Sequence, residues 1–304
     1  EPTSTSRQQG GSLDRVAELG TKALEMAQLL DKFKKVARYE DQNMKIVGID
    51  GTIYLTIYFA DDELAEGLTE GQPEVGDRPE VDRTLLRQMF LDLLKLGTVS
   101  LRSVSLNTSL TFPQMEPWPT IHFLNSLEPA IHDFVVGADR AWSRVRSTLS
   151  SAVPEYAGIT YVGIFPADVK EKNYPDLVAF VKGGMAMVLG DNKGILVQTN
   201  GNDVVRVYAS FRKPLATWLD EVGLNFLVGG GKHAEARELF LKQFEGWCPE
   251  ATGYLKVPCL SMDVRPLYKF KNRHTWDTNP YATLLGDSAH VTVEFFNWHS
   301  SAQH

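Results

Sequence analysis

Apolar residues recur at intervals of three and four along residues 13–38, at Val16, Leu19, Ala23, Met26, Leu30, Phe33 and Ala37. That spacing predicts one helix with a buried stripe. Two β-rich runs, 45–49 and 52–59, flank Asp50-Gly51 and predict a hairpin. Residues 61–82 are crowded with Asp, Glu, Gly and Pro and read as a loop. A second helix is expected from Asp82, a plausible cap, through Leu85, Leu86, Met89, Phe90, Leu93 and Leu94. Short strands are expected at 99–104, 120–123 and 133–136. From Gly158 the period shortens. Runs at 159–165, 185–189, 195–198 and 204–209 are separated by turn residues, Asp191-Asn192 and 200–203 being the clearest. They predict a mainly antiparallel sheet. A helix at 234–244 and a short apolar strand at 282–285 complete the pattern. This order implies one α/β domain interrupted by a sheet domain.

The 304 residues suit about two domains, and 43% hydrophobic content can supply a core. A net charge of -7 gives no basic stripe for nucleic acid and no pull toward anionic lipid. Cys248 and Cys259 are too few for a disulfide framework and form no CxxC pair, so a reducing, cytoplasmic setting is expected. No apolar run approaches the roughly 18 residues of a membrane span. The histidines are scattered without metal-ligand spacing, and no metal site is expected.

Four segments carry candidate chemistry. In 133–146 an apolar strand runs into Gly137-Ala138-Asp139 and then a basic helix start. Small residues at a strand end let a ligand near the backbone, and the carboxylate can accept hydrogen bonds from sugar hydroxyls; taken alone, the segment is better explained as a strand, a turn and an Asp cap. In 282–290 a second apolar strand ends in Gly286-Asp287. Asp287, Ser288 and His290 stand on one turn and cannot converge as a hydrolase triad. Arg87 lies one turn into the second helix, where it also reads as a snorkelling surface residue. Arg7 and Gly10-Gly11 precede a helix, where paired glycines can present amides to a phosphate or form a loose terminus. Gly229-Gly230-Gly231 fits a dinucleotide-binding pattern, but the strand and acidic residue that should follow are lacking, so it reads as the entry to a packing helix.

Taken in order, these segments resemble the class A FAD-dependent monooxygenases, the aromatic hydroxylases, and within them the tetracycline-inactivating branch. The resemblance rests on Arg7 with Gly10-Gly11-Ser12-Leu13-Asp14, on Asp82-Arg83 with Leu86-Arg87, on 134–146, on Pro266-Leu267-Tyr268 and on 283–290. It covers about residues 7–291. It implies an incomplete FAD/NAD(P)-binding Rossmann-like domain in 1–157, with a hairpin near 44–60 given to the substrate domain. An antiparallel-sheet substrate domain follows in 158–268, and 269–304 return to the first. It implies FAD as cofactor, with Arg87 contacting it and Asp287 holding the ribityl chain. Gly137 and Asp139 would lie near the flavin and the nicotinamide donor, Gly286 beside them, and Arg7, Gly10 and Gly11 at the flavin or the donor's approach. The expected reaction is flavin reduction by NAD(P)H and oxygen transfer from O2 to an aromatic or polycyclic small molecule. The resemblance names no catalytic side chain.

Three departures stand out. The family's opening strand, GxGxxG turn and helix would lie upstream of residue 1. Arg140 takes the place of the glycine in the family's Asp-Gly motif. After His290 the family's proline and glycine-rich helix start are replaced by 291–304. The chain therefore reads as partial, and a second reading is a non-catalytic remnant serving as a binding or scaffold module.

Overall fold

The computed structural model describes residues 12–14, 17–38, 43–57, 79–99, 109–111, 118–122, 128–170, 172–181, 184–200, 204–214, 217–271 and 274–293. The chain divides into two compact units. One comprises 1–99, 160–212 and 217–265; the other comprises 100–159, 213–216 and 266–304. The loop expected at 61–82 falls mostly outside the described residues, as does the strand expected at 99–104 from residue 100 onward.

In the first unit, strand β1 (Ser12–Asp14) is followed by helices α1 (Ala17–Met26) and α2 (Leu30–Val36), then the hairpin β2 (Asn43–Gly48) and β3 (Ile53–Ile57), strand β4 (Glu80–Asp82) and helix α3 (Arg83–Leu93). The single helix predicted over 13–38 is thus two, and its first residues are a strand. The break has a backbone cause. The Leu29 amide donates to the Leu24 carbonyl and the Gln28 amide to the Glu25 carbonyl. Gln28 is left-handed with φ 57°. This is a Schellman end, closed by contact between Leu24 and Leu29 in one small core with Phe33, Val81 and Met89. Glutamine holds the place that glycine usually signals.

In the second unit, β5 (Ser109–Thr111), β6 (Thr120–His122) and β7 (Ala130–Ile131) form an antiparallel three-stranded sheet. Strand β8 (Val135–Gly137) and helix α4 (Arg146–Leu149) follow. The chain passes back to the first unit within β9 (Glu155–Pro166) and continues through α5 (Pro175–Val181), β10 (Gly184–Gly190), β11 (Lys193–Asn200), β12 (Val204–Arg212), α6 (Trp218–Glu221), α7 (Leu224–Gly229), α8 (His233–Gln243) and α9 (Pro249–Lys256). It leaves again within β13 (Cys259–Lys269), ending in β14 (Ala282–Leu284) and α10 (Asp287–His290).

A seven-stranded sheet with order β13-β9-β12-β11-β10-β2-β3 dominates the first unit. The pairs β10–β11, β11–β12 and β2–β3 are antiparallel, and β2 joins β10 in parallel, Asn43 against Gly184. Strand alternation sends Val162, Ile164, Val188, Ile195, Val197, Val205, Val207, Ala209 and Phe211 to one face, where they form a core with Leu219, Phe240, Phe244, Tyr254 and Leu255 from the helices. Each buried Val, Leu, Ile or Phe among them contributes about 1.5–3 kcal/mol by leaving water. The triple glycine at 229–231 closes α7 and leads into α8, the packing role expected for it.

Candidate functional site

Strands β8 and β14 pair in parallel, with Val135 against Ala282 and Gly137 against Leu284. Two segments almost 150 positions apart in sequence therefore end side by side, and each runs directly into its Gly-Asp turn. Val135 and Ala282 share a small core with Ile121, Val145 and Leu149 that fixes the strands. The Leu285 amide donates to the Gly137 carbonyl at 2.9 Å, so the pairing reaches the turns themselves.

Asp139 organises the first turn. Its Oδ2 accepts the Arg144 amide at 2.8 Å, and its Oδ1 accepts the Ser288 hydroxyl at 3.2 Å. Partial burial of the carboxylate opposes ionisation. Hydrogen bonds from Ser143, the Arg144 amide and Ser288 outweigh it and hold Asp139 below the usual carboxylate range. The residue as a whole stays exposed.

Ser288, fully buried, ties the two turns together. Its single hydroxyl proton can go to Asp139 Oδ1 or to the Arg140 carbonyl, each at 3.2 Å. Arg146, 4% exposed, clamps the same place from below. It donates from Nη1 to the Ser288 carbonyl and from Nε to the Ala152 carbonyl, each at 3.2 Å, and lies over the Phe270 ring at 4.7 Å. Burial lowers its pKa, and the charge of Asp139 offsets part of that. Sequence reading missed both residues. Serine at 288, where the family pattern has alanine, was the available signal for one of them.

The two glycines do different work. A Cβ on Gly137 would lie 2.7 Å from Val145 Cβ and 2.8 Å from Leu284 Cδ2. Its missing side chain makes room for protein, which is a packing reason rather than the ligand approach the sequence suggested. Gly286 is the opposite case. It has φ 59° and ψ -141°, and nothing stands within 4 Å of where a Cβ would be. That conformation is close to glycine-only, and the space beside it is open. Asp287 follows, exposed and without a hydrogen-bond partner among the described residues. An open glycine backed by an ionisable acceptor suits a polyhydroxylated chain such as ribityl.

Arg140 adopts φ 72°. An arginine therefore stands in the left-handed region, where the family pattern has glycine. Relief of that strain is worth about 1–2 kcal/mol, and a glycine's greater freedom when unfolded takes back up to about 1 kcal/mol. Arg140→Gly is expected to stabilise the chain by about 0.5 kcal/mol, read from the urea midpoint; a lower midpoint would mean that the arginine side chain's own contacts outweigh the backbone strain.

Of the remaining sequence candidates, Arg87 lies in the first unit, exposed on α3. Arg7, Gly10 and Gly11 lie outside the described residues. The strand that follows them, β1, pairs with β4, Ser12 against Asp82. That pairing brings β1 to the start of the Arg87 helix. Arg38, which sequence reading assigned only to a helix end, binds Glu80 at 2.9 Å and Asp82 at 3.0 Å, and Gln198 donates to Glu80. The Asp82 side chain is thus spent on Arg38 rather than on capping α3. Among the described residues no cluster of three or more His, Cys, Asp or Glu could hold a metal, and no helix is long and apolar enough to cross a membrane.

No family profile matches the chain. Among curated proteins it is similar to the monooxygenase penA of Penicillium thymicola, 28% identical over 314 residues, covering 94% of this chain and 69% of that protein. It is also similar to the monooxygenase asqM of Emericella nidulans, 28% identical over 204 residues, covering 64% of this chain and 42% of that protein. The chain thus spans well under the full length of both. Among solved structures it resembles HpxO of Klebsiella pneumoniae complexed with FAD and uric acid, with TM-score 0.66 and 15% identity over 93% of this chain and 65% of that one.

Proposed function

We propose that this chain, whose fold is that of the FAD-dependent monooxygenases and whose sequence relatives are monooxygenases, belongs to an FAD-dependent hydroxylase acting on an aromatic or polycyclic small molecule. The observation that carries this reading is the open Gly286 cradle with its unpartnered Asp287, fixed against the Asp139 turn by Ser288. Bound FAD would supply the redox chemistry, taking electrons from NAD(P)H and passing oxygen from O2 to the substrate. The protein's own part is to bind and orient. Asp287 would accept hydrogen bonds from the hydroxyls of the ribityl chain, and Gly286 would let that chain approach the backbone. Asp139, already satisfied by protein donors, keeps the first turn in shape. Relatives named as monooxygenases favour this over a non-catalytic remnant. The two free thiols, Cys248 and Cys259, suit a reducing, cytoplasmic setting.

The test is flavin retention. The purified chain is incubated with FAD, gel-filtered, and its visible spectrum compared with that of Asp287→Ala. Flavin bands that travel with the wild type and fall at least tenfold in the variant support the reading, and NAD(P)H oxidation with phenolic substrates then follows. A colourless wild type, or a variant that keeps its flavin, overturns this assignment of the cradle.

A further inference from the structure

Helix α10 is a single turn, so its carbonyls cannot all be met from within it. Two of them belong to Ser288 and Ala289, both buried, where an acceptor left without a donor is costly. Side chains from elsewhere supply the donors. Arg146 takes the Ser288 carbonyl, as described above. The Ala289 carbonyl lies 2.8 Å from Nδ1 of His274. Just past the helix, the Phe270 amide donates to the Val291 carbonyl at 3.1 Å.

A carbonyl can only accept, so Nδ1 must carry the proton, and neutral His274 is held as its Nδ1–H tautomer. Nε2 is then an acceptor, and the Ser150 hydroxyl donates to it at 3.2 Å. The Ser150 oxygen in turn accepts the Ala152 amide at 3.2 Å. Stacking places the ring: its centre lies 4.4 Å from that of Phe270, with 25° between the planes, and 5.6 Å from that of Trp276. Arg146 rests on the same Phe270 ring. The hold on Ala289 passes straight into the cradle. The Ala289 and His290 amides donate to the Gly286 carbonyl at 2.9 and 3.0 Å. Gly286 is the residue with the near glycine-only conformation, and Asp287 follows it. Fixing Ala289 from the histidine side therefore fixes Gly286 from the other.

We propose that His274 is a positioning residue, and that its Nδ1–H, through the Ala289 carbonyl, sets the turn that presents Gly286 and Asp287 to a ligand. That the ligand is the ribityl chain of FAD rests on the hydroxylase reading; the hold itself does not. The test uses the full chain and two variants. His274→Phe keeps a ring on Phe270 and removes both nitrogens. His274→Asn returns one N–H donor near the place of Nδ1. In wild-type protein labelled with 15N at histidine, the imidazole missing from His274→Asn should show Nδ1 protonated and Nε2 bare. In flavin-free protein, hydrogen exchange at the Ala289 amide should quicken about tenfold in His274→Phe and return most of the way in His274→Asn. The Val135 amide, bonded to the Tyr281 carbonyl, should exchange at one rate in all three. FAD affinity should follow the same order, about tenfold weaker in His274→Phe and largely recovered in His274→Asn. A neutral His274 with its proton on Nε2 would overturn the proposal, and that result needs no folded phenylalanine variant. So would an Ala289 amide that exchanges at the wild-type rate in His274→Phe, or a quickening shared by Val135, which would make the histidine a general prop of the fold. FAD bound equally by wild type and His274→Phe would break the link to the cradle. A wild type that binds no FAD overturns the hydroxylase reading instead, and the tautomer and the exchange rates still decide this one.

Discussion

Replacing Phe211 by alanine is expected to lower stability by about 4 kcal/mol, measured as a shift in the urea unfolding midpoint. Phe211 has no exposed surface and sits on β12 at the centre of the sheet's buried face. Its ring centre lies 5.0 Å from that of Trp218, 5.4 Å from Phe244 and 6.0 Å from Phe240. These three rings come from α6, α8 and the end of α8, so one side chain joins the sheet to the helical layer. The loss combines the transfer of the ring to water with a cavity that three large neighbours cannot close. Phe211→Leu, which fills most of the volume, should recover more than half. A loss under about 1 kcal/mol for the alanine variant would mean that the helices do not depend on this ring for their packing.

Arg146→Met carries the second large effect. The methionine can lie on Phe270, but it cannot donate to the carbonyls of Ser288 and Ala152. Two buried acceptors left without donors cost about 1–3 kcal/mol each, offset by the desolvated charge that is removed; a net loss of about 2–3 kcal/mol is expected. The consequence reaches the site. The Ser288 carbonyl belongs to α10, the turn that carries Asp287 at its start. Releasing it should loosen the Gly286 cradle, so flavin retention falls along with stability. Arg146→Lys, which can reach one carbonyl, should show an intermediate stability. Lost stability with unchanged flavin retention would show that the clamp and the cradle are independent.

Legibility from sequence followed the range of the forces involved. The strands β9 to β12 were readable because alternation reports a sheet with one dry face, and the hairpin turn at Asp191-Asn192 because Asn192 accepts φ 57° at little cost. The break between α1 and α2 was not readable, since its Schellman end uses Gln28 and the hydrophobic stripe continues in phase across it. Gly137 was read as an opening for ligand, whereas the structure shows Val145 and Leu284 in that space; a sequence cannot say which atoms a missing side chain admits. The turns at Asp139 and Asp287 were visible as two motifs, but their union was not. Ser288, Arg146 and Arg38 act through partners far along the chain, and apart from serine in place of the family pattern's alanine at 288 no local pattern announces them.

The parallel pairing of β2 with β10 has a consequence for how the molecule is made. The β2–β3 hairpin is local and can close within microseconds of emerging. The strand it must join, β10, lies beyond the whole of α3 and β4 to β9, Asn43 waiting for Gly184. At ribosomal speeds that interval is on the order of ten seconds. Through it the hairpin carries Ile53, Tyr54 and Leu55, exposed even in the finished sheet, on a ribbon with both edges free. Synthesis therefore holds a sticky, two-sided β-ribbon in waiting for most of the time the first unit takes to appear, and that is the stage at which a nascent chain of this fold has most need of a chaperone.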